Sequence, residues 1–390
     1  MKAAFHRFLV GAAVLVCALA CRSLDPVSRK LAAPLRDQIL ARAEASLDRE
    51  PVTITAFRCP RSEGGLHDFY SEGDYWWPNP ANPDGPYIRR DGESNPDNFS
   101  EHRHAMEAFS RTVGTLTSAW MLTGEPRFAQ AAERQLRAWF VDTLTRMSPS
   151  LLYAQAIKGV VSGRGIGIID TIHLLEPARA VQCLSEAGAL SEECARGCKA
   201  WFRDYLDWLN THPYGIAEMR ARNNHGTWWY AQAAAFARLL GDEAQLDRCR
   251  KAYKEYFLPK TMASDGSFPD ELARTKPYNY SIFQLNAMVL LCQLLSSQED
   301  DLWAYTTPDG KNIRTALDFQ LPYIINKDSW PYAQDVSHWD EWPVAVSAYA
   351  FAWAHYRDAR YYRAWAPLEH WPAGAEMQRV SALNNPLIWL

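Results

Sequence analysis

The sequence predicts an all-α fold, an (α/α) toroid of helical hairpins with long aromatic-rich loops over the cleft. Apolar residues recur with the period of amphipathic helices along most of the chain, whereas strand patterns are sparse. Apolar helices alternate with charged helices that end in aromatic pairs, as at 139–140 and 201–202. A repeat of roughly 55–60 residues is typical of hairpins that stack because none can bury its apolar face alone. An open α-solenoid is the alternative architecture.

Ten segments carry the helical period. They are residues 105–122, 127–144, 166–184, 192–209, 228–240, 244–257, 282–295, 313–325, 344–356 and 359–365. Residues 64–99 lack this period and are rich in Gly, Pro, Asn and Asp, and residues 322–343 form a second irregular stretch. Long irregular stretches in compact domains usually form lids or binding loops. For the first stretch, a loop strapped over the barrel core is the alternative.

The first residues have the pattern of a bacterial export signal. Positive residues precede an apolar run, residues 8–20, that is too short to span a bilayer. A small residue directly before Cys21 is typical of a lipobox, so we expect a signal peptide over residues 1–21 and a lipidated Cys21. Simple secretion is the alternative. We expect a periplasmic or outer-membrane-attached protein that reaches a membrane only through the lipid on Cys21.

The remaining chain is long enough for one large domain. We predict a linker and helix over residues 22–50 and a single (α/α)-barrel domain over residues 51–390. The formal net charge of −4 argues against a nucleic-acid partner. It does not exclude an acidic substrate, because the local field of a cleft matters more than the total charge.

Six cysteines follow Cys21, and their spacing with histidine is not that of a zinc site. Cys194 and Cys198 lie one helical turn apart, and either could reach Cys183 across the intervening turn. An oxidising compartment would permit that disulfide bridge. Buried free thiols are the alternative.

The most informative stretch is Asn223-Asn224-His225, just before an apolar helical run that begins at Trp228. A helix N-terminus carries unpaired N–H groups and a partial positive charge, so carboxylates bind there readily. Asn224 and His225 can hold a carboxylate by charge-assisted hydrogen bonds. In the plainer interpretation, Asn223 is only the N-cap of the helix and His225 is a structural histidine.

A second polar cluster further along the chain contains Arg274, Lys276, Tyr278 and Tyr280. Arg274 offers a forked, permanently charged donor for a carboxylate. A tyrosine is a poor base at its ordinary pKa of about 10, but neighbouring cations favour the phenolate. One of the two tyrosines is expected to pack, and we favour Tyr280 as the base. Lys276 is either a substrate contact or a solvated charge.

These residue types suit β-elimination on a uronic acid. The C6 carboxylate must be neutralised so that the C5 proton becomes acidic, a base must remove that proton, and an acid must protonate the departing O4. In D-glucuronate and D-mannuronate the C5 hydrogen and O4 lie on one face, so one tyrosine can perform both steps. In galacturonate and guluronate they lie on opposite faces and usually require two residues. The two favoured sugars differ only at C2, so the sequence does not distinguish glucuronan from mannuronan.

Other polar and aromatic side chains are candidates for substrate contacts. They are Asn223, Tyr278, Trp228, Trp76, Trp77, Arg89, Arg164, Gln334, His338, Trp339, His102 and His104. Aromatic rings interleaved with arginines on a loop are typical of a surface that binds an acidic carbohydrate. For the two histidines, capping of the following helix is the alternative, and their spacing is not that of a helical zinc motif.

The chain resembles the alginate lyase domain superfamily, particularly the polysaccharide lyases of family 38 that act on glucuronan and alginate. The resemblance rests on four segments: NNHGTW at 223–228, RTKPYNYS at 274–281, the Gly-rich segment 163–167, and the YWWPNP loop at 75–80. It implies an (α/α) toroid, an acidic polysaccharide substrate, and elimination that requires no metal or cofactor.

The same resemblance implies individual roles. Asn224 and His225 would hold the carboxylate, Arg274 would support it, and Tyr280 would act as both base and acid in a syn-elimination. The cleaved polymer would be a β-1,4-linked polyuronate, a glucuronan or a mannuronate-rich alginate, and the products would carry 4,5-unsaturated uronate ends.

Two other classes of function remain open. A glycoside hydrolase on the same type of barrel would use paired carboxylates from Asp270 or Glu271 with Asp335 or Asp340. A non-catalytic sugar-binding lipoprotein would use its tryptophans as stacking platforms. Only elimination leaves a C4–C5 double bond, so the ultraviolet absorbance of the products separates lyase from hydrolase.

Overall fold

The computed structural model describes residues 24–390, so the predicted signal peptide and the predicted lipid site at Cys21 lie outside the described residues. No helix in the described part of the chain is long and apolar enough to cross a membrane. Helices dominate it, and each of the ten predicted helical segments overlaps an observed α-helix.

These ten helices form five consecutive hairpins, each with an inner and an outer helix. The inner helices are α3 (Glu101–Thr123), α5 (Leu175–Glu186), α8 (Asn224–Leu240), α11 (Pro277–Leu295) and α13 (Ser347–Tyr356). The outer helices that follow them are α4 (Pro126–Phe140), α6 (Glu192–Thr211), α9 (Glu243–Ala252), α12 (Ile313–Ile325) and α14 (Ala359–Trp365). Each inner helix contacts the next one along the chain, so the inner helices form a ring.

The two ends of the chain close this ring. Helix α1 (Pro26–Ala32) packs on α13, α2 (Arg36–Glu44) packs on α3, and the C-terminal 3-10 turn Pro386–Trp389 contacts both inner helices. Glu176 on α5 anchors the turn, because its carboxylate accepts from the backbone N of Asn385 at 2.6 Å and from Nδ2 at 2.8 Å. The predicted (α/α) toroid is confirmed, and the open solenoid is wrong.

The aromatic pairs of the sequence repeat pack between neighbouring hairpins. Trp139 stacks on Phe109 of α3 with ring centroids 4.6 Å apart, and Phe140 lies 4.9 Å from Phe202 of the next outer helix. Phe202 in turn lies 5.0 Å from Phe236 on α8. The repeat is therefore a packing repeat, in which the aromatic pairs of the outer helices α4 and α6 join these helices to their neighbours.

Helices α8 and α11 are buried on almost every side, as expected of helices that are apolar all round. The Asn223 side chain caps α8, accepting from His225 N at 3.3 Å, and Gly241 ends it with a φ of 70°. An acid from elsewhere in the chain caps α11. Asp335 accepts from the backbone N of Tyr278 at 2.9 Å and of Asn279 at 3.0 Å.

Several short elements have no signature in the sequence. They are α7 (Pro213–Met219), α10 (Pro269–Leu272), α15 (Ala375–Val380), and the strands β1 (Tyr70–Glu72), β2 (Trp76–Trp77), β3 (Ile88–Arg89) and β4 (Tyr153–Ala156). β1 pairs in parallel with β4, and β2 pairs antiparallel with β3, with Trp76 opposite Arg89. The stretch 64–99, expected to be irregular, thus contains three strands too short for a period of two to be detected.

The six cysteines within residues 24–390 are free thiols. The Sγ atoms of Cys194 and Cys198 lie 3.9 Å apart on one face of α6, and Cys183 Sγ faces the backbone oxygen of Ile388 at 3.5 Å. The suggested bridge to Cys183 is therefore absent, and the alternative of free thiols holds, with five of the six buried and Cys183 partly exposed.

Closure of the ring by the C-terminal turn predicts a stability effect. Trp389 is 3% exposed, so W389A should leave a large cavity and lower the free energy of unfolding by about 3–5 kcal/mol. L144A, at a side chain that is exposed, should change it by no more than about 0.5 kcal/mol. Urea unfolding followed by circular dichroism measures both. Equal stability of W389A and the wild type would show that the turn does not hold the ring closed.

Candidate active site

A cleft of about 1040 Å³, its mouth included, opens at the end of the ring where α3, α8 and α11 begin. The first turn of each helix contributes side chains to the cleft: α3 contributes Arg103, α8 contributes Asn224 and His225, and α11 contributes Tyr280. The β2–β3 hairpin, the 3-10 segment Gly165–Leu174 and α15 provide the other walls. Helix N-termini carry partial positive charge, so this end of the ring favours anions.

Two tyrosines meet in the cleft. The hydroxyl oxygens of Tyr280 and Tyr75 lie 2.8 Å apart. Arg274 donates from Nη2 to Tyr280 Oη at 3.2 Å, and its guanidinium lies 4.3 Å from the centre of the Tyr280 ring. Asp91 accepts from the same Nη2 at 3.1 Å and holds the guanidinium in place. Burial and the neighbouring Tyr75 hydroxyl raise the pKa of Tyr280 well above its ordinary value, and Arg274 only partly offsets this rise.

Two further cations lie beside the tyrosine pair. Arg379 Nη2 is 3.5 Å from Tyr75 Oη, and Lys276 Nζ lies 5.5 Å from the ring centre of Tyr75 and 5.9 Å from that of Tyr280. Glu376 accepts from Lys276 Nζ at 2.5 Å and from Arg379 Nη2 at 2.7 Å. These cations offset part of the cost of placing a phenolate in a buried position.

The amide and the imidazole of the Asn-Asn-His motif line the same cleft. Glu271 accepts from Asn224 twice, from the backbone N at 2.7 Å and from Nδ2 at 2.8 Å. His225 Nδ1 lies 2.5 Å from Glu218 Oε1. Both glutamates are almost fully buried, and burial raises the pKa of Glu271 despite its two hydrogen bonds.

Arg103 is the centre of a buried ion cluster. Its Nη2 lies 2.7 Å from Asp74 Oδ1, its Nη1 lies 3.9 Å from Asp170 Oδ1, and Arg379 Nη1 lies 3.6 Å from Asp74 Oδ2. Burial disfavours ionisation of Asp74, but the two guanidiniums outweigh it and hold its pKa below the ordinary value. For Asp170 burial prevails and raises the pKa. These cleft carboxylates are thus engaged in fixing arginines.

Glu107 lies behind Arg103, with Oε1 4.0 Å from Arg103 Nε and 3.9 Å from His173 Nε2. Within the described residues neither of its carboxylate oxygens accepts a hydrogen bond, and its side chain is 1% exposed. Burial raises the pKa of Glu107 to about 7 and lowers the pKa of His173 to about 3. Both groups are therefore close to neutral around pH 6.

One arginine in the cleft wall has neutral hydrogen-bond partners. Arg164 donates from Nε to the backbone oxygen of Gln155 at 2.9 Å and from Nη2 to its Oε1 at 3.1 Å. Its guanidinium lies 5.8 Å from the ring centre of Trp76, which stands opposite Arg89 in the β2–β3 hairpin. Burial lowers the pKa of Arg164, but a guanidinium stays charged at neutral pH. This wall combines positive charge with an aromatic surface.

The family model for alginate lyases matches residues 53–330. The chain belongs to the alginate lyase family. As a member of that family it is a polysaccharide lyase. Its assignment to polysaccharide lyase family 38 stays a prediction.

Solved structures of alginate lyases share the fold. A crystal structure of an alginate lyase from Bacteroides ovatus has a TM-score of 0.78 and 32% identity, over 93% of this chain and 97% of that one. Alginate lyase A1-III from Sphingomonas species A1 has a TM-score of 0.52 and 19% identity, over 87% of this chain and 89% of that one. A histidine-to-alanine variant of A1-III is known in complex with a tetrasaccharide. Among curated proteins no significant match is found.

In this alginate lyase family member, the cleft brings together all four residues that the sequence predicts to be catalytic. They are Asn224, His225, Arg274 and Tyr280. Four of the predicted substrate contacts line the same cleft, namely Asn223, Trp76, Arg89 and Arg164. Asn223 is also the N-cap of α8, so the same residue caps the helix and lines the cleft. The catalytic and binding roles of these eight residues stay predictions.

Three predicted substrate contacts lie instead behind the cleft wall. Trp228 is 1% exposed and packs on Phe283, and Tyr278 is fully buried with its hydroxyl donating to the backbone oxygen of Tyr323 at 2.8 Å. Lys276, also fully buried, is paired with Glu376. Residues two apart on a helix point to opposite sides, which is why Tyr280 faces the cleft and Tyr278 does not. These three side chains therefore pack or balance charge behind the cleft wall. The prediction that they contact the substrate directly is corrected accordingly.

The first irregular stretch and α3 supply three further corrections. His102 is buried, with Nδ1 accepting from Tyr70 N at 3.0 Å and Nε2 3.2 Å from Phe57 O, so it is a structural histidine. His104 is exposed and borders a separate pocket. Trp77 donates from Nε1 to the backbone oxygen of Glu93 at 2.9 Å. It follows Trp76 in β2, and the alternation of a strand turns it away from the cleft.

Unlike the first, the second irregular stretch does not line the cleft. Gln334 is exposed, His338 Nδ1 lies 2.5 Å from Glu341 Oε1, and Trp339 packs edge-on against Tyr278 with ring centroids 5.3 Å apart. None of these three residues lines the cleft, and their contacts with the substrate stay predictions. Asp335 pins this stretch to the start of α11, and so it supports the helix that carries Tyr280.

Several cleft residues were not selected from the sequence. They include Asp74, Tyr75, Gln155, Asp170, His173 and Arg379. Tyr75 belongs to the loop that carries the family resemblance, so that loop could have pointed to it. Arg379 lies outside the matched family segment and far along the chain from the other site residues. No local pattern marks it.

The buried Glu107, whose carboxylate accepts no hydrogen bond within the described residues, predicts a specific pH dependence of stability. Its folded-state pKa of about 7 exceeds the ordinary 4.5, so the folded protein binds more protons between these values, and stability is lost as pH rises through them. E107Q removes this titration. Relative to wild type, its free energy of unfolding should rise by about 2 kcal/mol between about pH 5 and about pH 8. Urea unfolding at both pH values tests this, and a difference that does not change with pH would refute it.

Proposed function

We propose that this protein cleaves a β-1,4-linked polyuronate, a glucuronan or a mannuronate-rich alginate, by syn β-elimination. The observation that carries the proposal is the arrangement around Tyr280. Its hydroxyl contacts Tyr75 at 2.8 Å and Arg274 at 3.2 Å, in the same cleft as Asn224 and His225. The products would carry 4,5-unsaturated uronate ends.

The carboxylate of the reacting sugar binds at the start of α8. Asn224 can donate its second Nδ2 hydrogen. The imidazolium form of His225, whose Nδ1 hydrogen goes to Glu218, can donate its Nε2 hydrogen, and the helix N-terminus adds partial positive charge. Hydrogen bonds to the carboxylate become stronger as negative charge spreads onto it from C5, so they lower the barrier for proton removal.

Tyr280 removes the C5 proton as a phenolate and then returns it to O4. Arg274 stabilises the phenolate through its contact with the hydroxyl, and Tyr75 can donate a hydrogen bond to the same oxygen. The Arg274 position thus supports assistance to the base more directly than contact with the carboxylate. One residue can perform both proton transfers only if C5–H and O4 share a face, which is the case in glucuronate and mannuronate.

The cleft wall suits neighbouring uronates of the polymer. Arg164, whose hydrogen bonds go to neutral acceptors, can pair with a second carboxylate, and Trp76 offers a ring face for stacking. A crystal structure of the related lyase A1-III holds a tetrasaccharide, so binding of several sugar units has a parallel on this fold.

The arrangement of carboxylates gives no support to a hydrolase. Glu271 and Asp335 are occupied as acceptors for backbone N–H groups of α8 and α11, and Asp270 and Asp340 are exposed and do not line the cleft. A glycosidase needs one protonated and one ionised carboxyl on either side of the scissile bond.

The experiment that tests the function is a substrate screen read by ultraviolet absorbance of the C4–C5 double bond. Glucuronan and polymannuronate should yield unsaturated products, and polyguluronate should be cut at least about tenfold more slowly, because its C5–H and O4 lie on opposite faces. Y280F should lower kcat by about 10³-fold or more while leaving the circular dichroism spectrum unchanged. Activity of Y280F near the wild-type level would reassign the base, and reducing ends without ultraviolet absorbance would identify a hydrolase.

The raised pKa of Tyr280 predicts an alkaline-shifted activity. Because burial raises that pKa, only a small fraction of the protein carries the phenolate at neutral pH, and this fraction grows with pH. On the preferred polymer, kcat/KM should therefore rise by up to about tenfold per pH unit from about pH 6 to about pH 9. Initial rates at low substrate concentration measure it. A flat profile over this range would mean that a group of lower pKa is the base.

A further inference from the structure

Two buried glutamates lie directly behind the residues proposed to hold the substrate carboxylate. We propose that Glu271 and Glu218 are positioning residues that determine which atoms Asn224 and His225 present to the substrate. This inference rests on the proposed function, because it assigns the two glutamates a part in the recognition of the uronate carboxylate. Neither glutamate lines the cleft, so neither is a catalytic residue.

Glu271 is matched to Asn224 atom by atom. Its Oε1 accepts from the backbone N of Asn224 at 2.7 Å and its Oε2 from Nδ2 at 2.8 Å. An ionised carboxylate can only accept, so Nδ2 and not Oδ1 must face it, and the orientation of the amide is decided. One Nδ2 hydrogen is used, and the second stays available for the substrate. A flipped amide would present its oxygen and repel a carboxylate.

The same glutamate joins the two halves of the site. It lies on the short helix α10, and Arg274 N donates to its backbone oxygen at 3.1 Å. Its carboxylate contacts the first turn of α8. The side chain therefore sets the spacing between the carboxylate-binding end of α8 and the segment that carries Arg274.

Glu218 orients the imidazole in a similar way. It lies on α7, and its Oε1 is 2.5 Å from His225 Nδ1. Because the carboxylate accepts, Nδ1 carries the hydrogen, and Nε2 is the ring nitrogen left for the cleft. Glu218 is 5% exposed and His225 is only half-buried, so the imidazole is held from its buried side.

Glu271 and Glu218 face different numbers of N–H donors, so we expect E271Q and E218Q to have different effects. Glu271 faces two N–H donors, so glutamine there would oppose an NH₂ group to one of them and favour the flipped Asn224 amide. Glu218 faces one donor, so glutamine there can still accept from Nδ1. E271Q should therefore be severe, whereas E218Q should be mild and E218L severe.

The structure contains a matched control for E271Q. Glu176 accepts from the backbone N of Asn385 at 2.6 Å and from its Nδ2 at 2.8 Å, in the same geometry, where the C-terminal turn closes the ring. Neither Glu176 nor Asn385 lines the cleft. E176Q breaks an equivalent pairing and should cost stability alone.

The test is calorimetric titration of an unsaturated mannuronate or glucuronate tetrasaccharide into variants built on Y280F, which should bind without turnover. Relative to Y280F, E271Q should weaken binding by about 10- to 100-fold, E218L by about tenfold and E218Q by about threefold. E176Q should lower the melting temperature and leave affinity within about twofold. In the wild-type background, E271Q should also lower kcat/KM, and it should cost less than about threefold further when N224A is already present.

Unchanged affinity in E271Q, or an equal loss in E176Q, would overturn the inference, because the pairing would then be structural only. If E271Q lowered kcat/KM as much in the N224A background as in the wild type, this would also overturn the inference, because Glu271 would not act through Asn224. Equal effects of E218Q and E218L would refute the role of Glu218 as an orienting acceptor. Failure of the elimination proposal has a different signature: the wild type would form no unsaturated product, while the ordered differences in tetrasaccharide affinity would persist.

Discussion

The contact between α8 and α11 is the interaction on which the site depends. These inner helices are buried on almost every side, and they meet through Trp228 against Phe283, with ring centroids 4.9 Å apart. Gln284 Nε2 also donates to Thr227 Oγ1 at 3.0 Å across the contact. A close-packed contact of this kind cannot slide without opening voids. It therefore holds the first turn of α8, with its amide and imidazole, beside the first turn of α11, with its tyrosine.

A site for a polyanion must offer positive charge, yet an unpaired buried cation is costly. Carboxylates are paired with most of the arginines in this cleft. Arg274 is backed by Asp91, and Arg379 is backed by Glu376. Arg164 differs, since its hydrogen bonds go to neutral oxygen atoms of Gln155. The positive charge available to a substrate is therefore greatest at Arg164, whose hydrogen bonds leave its charge unbalanced.

The carboxylates of this barrel orient other groups. Glu271 and Glu218 hold an amide and an imidazole, Asp91 holds a guanidinium, and Asp335 caps the helix that carries the tyrosine. In each case an acceptor-only group meets N–H donors, which leaves one arrangement of hydrogen bonds. The group proposed to react is then the phenol of Tyr280, whose charged neighbours are already paired with one another. This explains why the site suits proton transfer by tyrosine and gives no support to a pair of reacting carboxyls.

The ring of hairpins can be predicted from the amino-acid sequence alone, because helical periodicity and the aromatic repeat are local signals. The candidate catalytic residues could also be selected from the sequence, since Asn224, His225, Arg274 and Tyr280 stand in two short segments of unusual composition, and all four line one cleft. The family resemblance strengthened both.

Which side chains face the cleft depends on contacts that no stretch of sequence contains. Tyr75 meets Tyr280 from the other end of the chain, and Arg379 arrives from a helix outside the family segment. Residues 322–343 look like a binding loop in sequence, yet Asp335 ties them to the start of α11. The physical reason is that orientation within a helix, and the partner of a buried charge, depend on atoms distant along the chain. No local period contains that information.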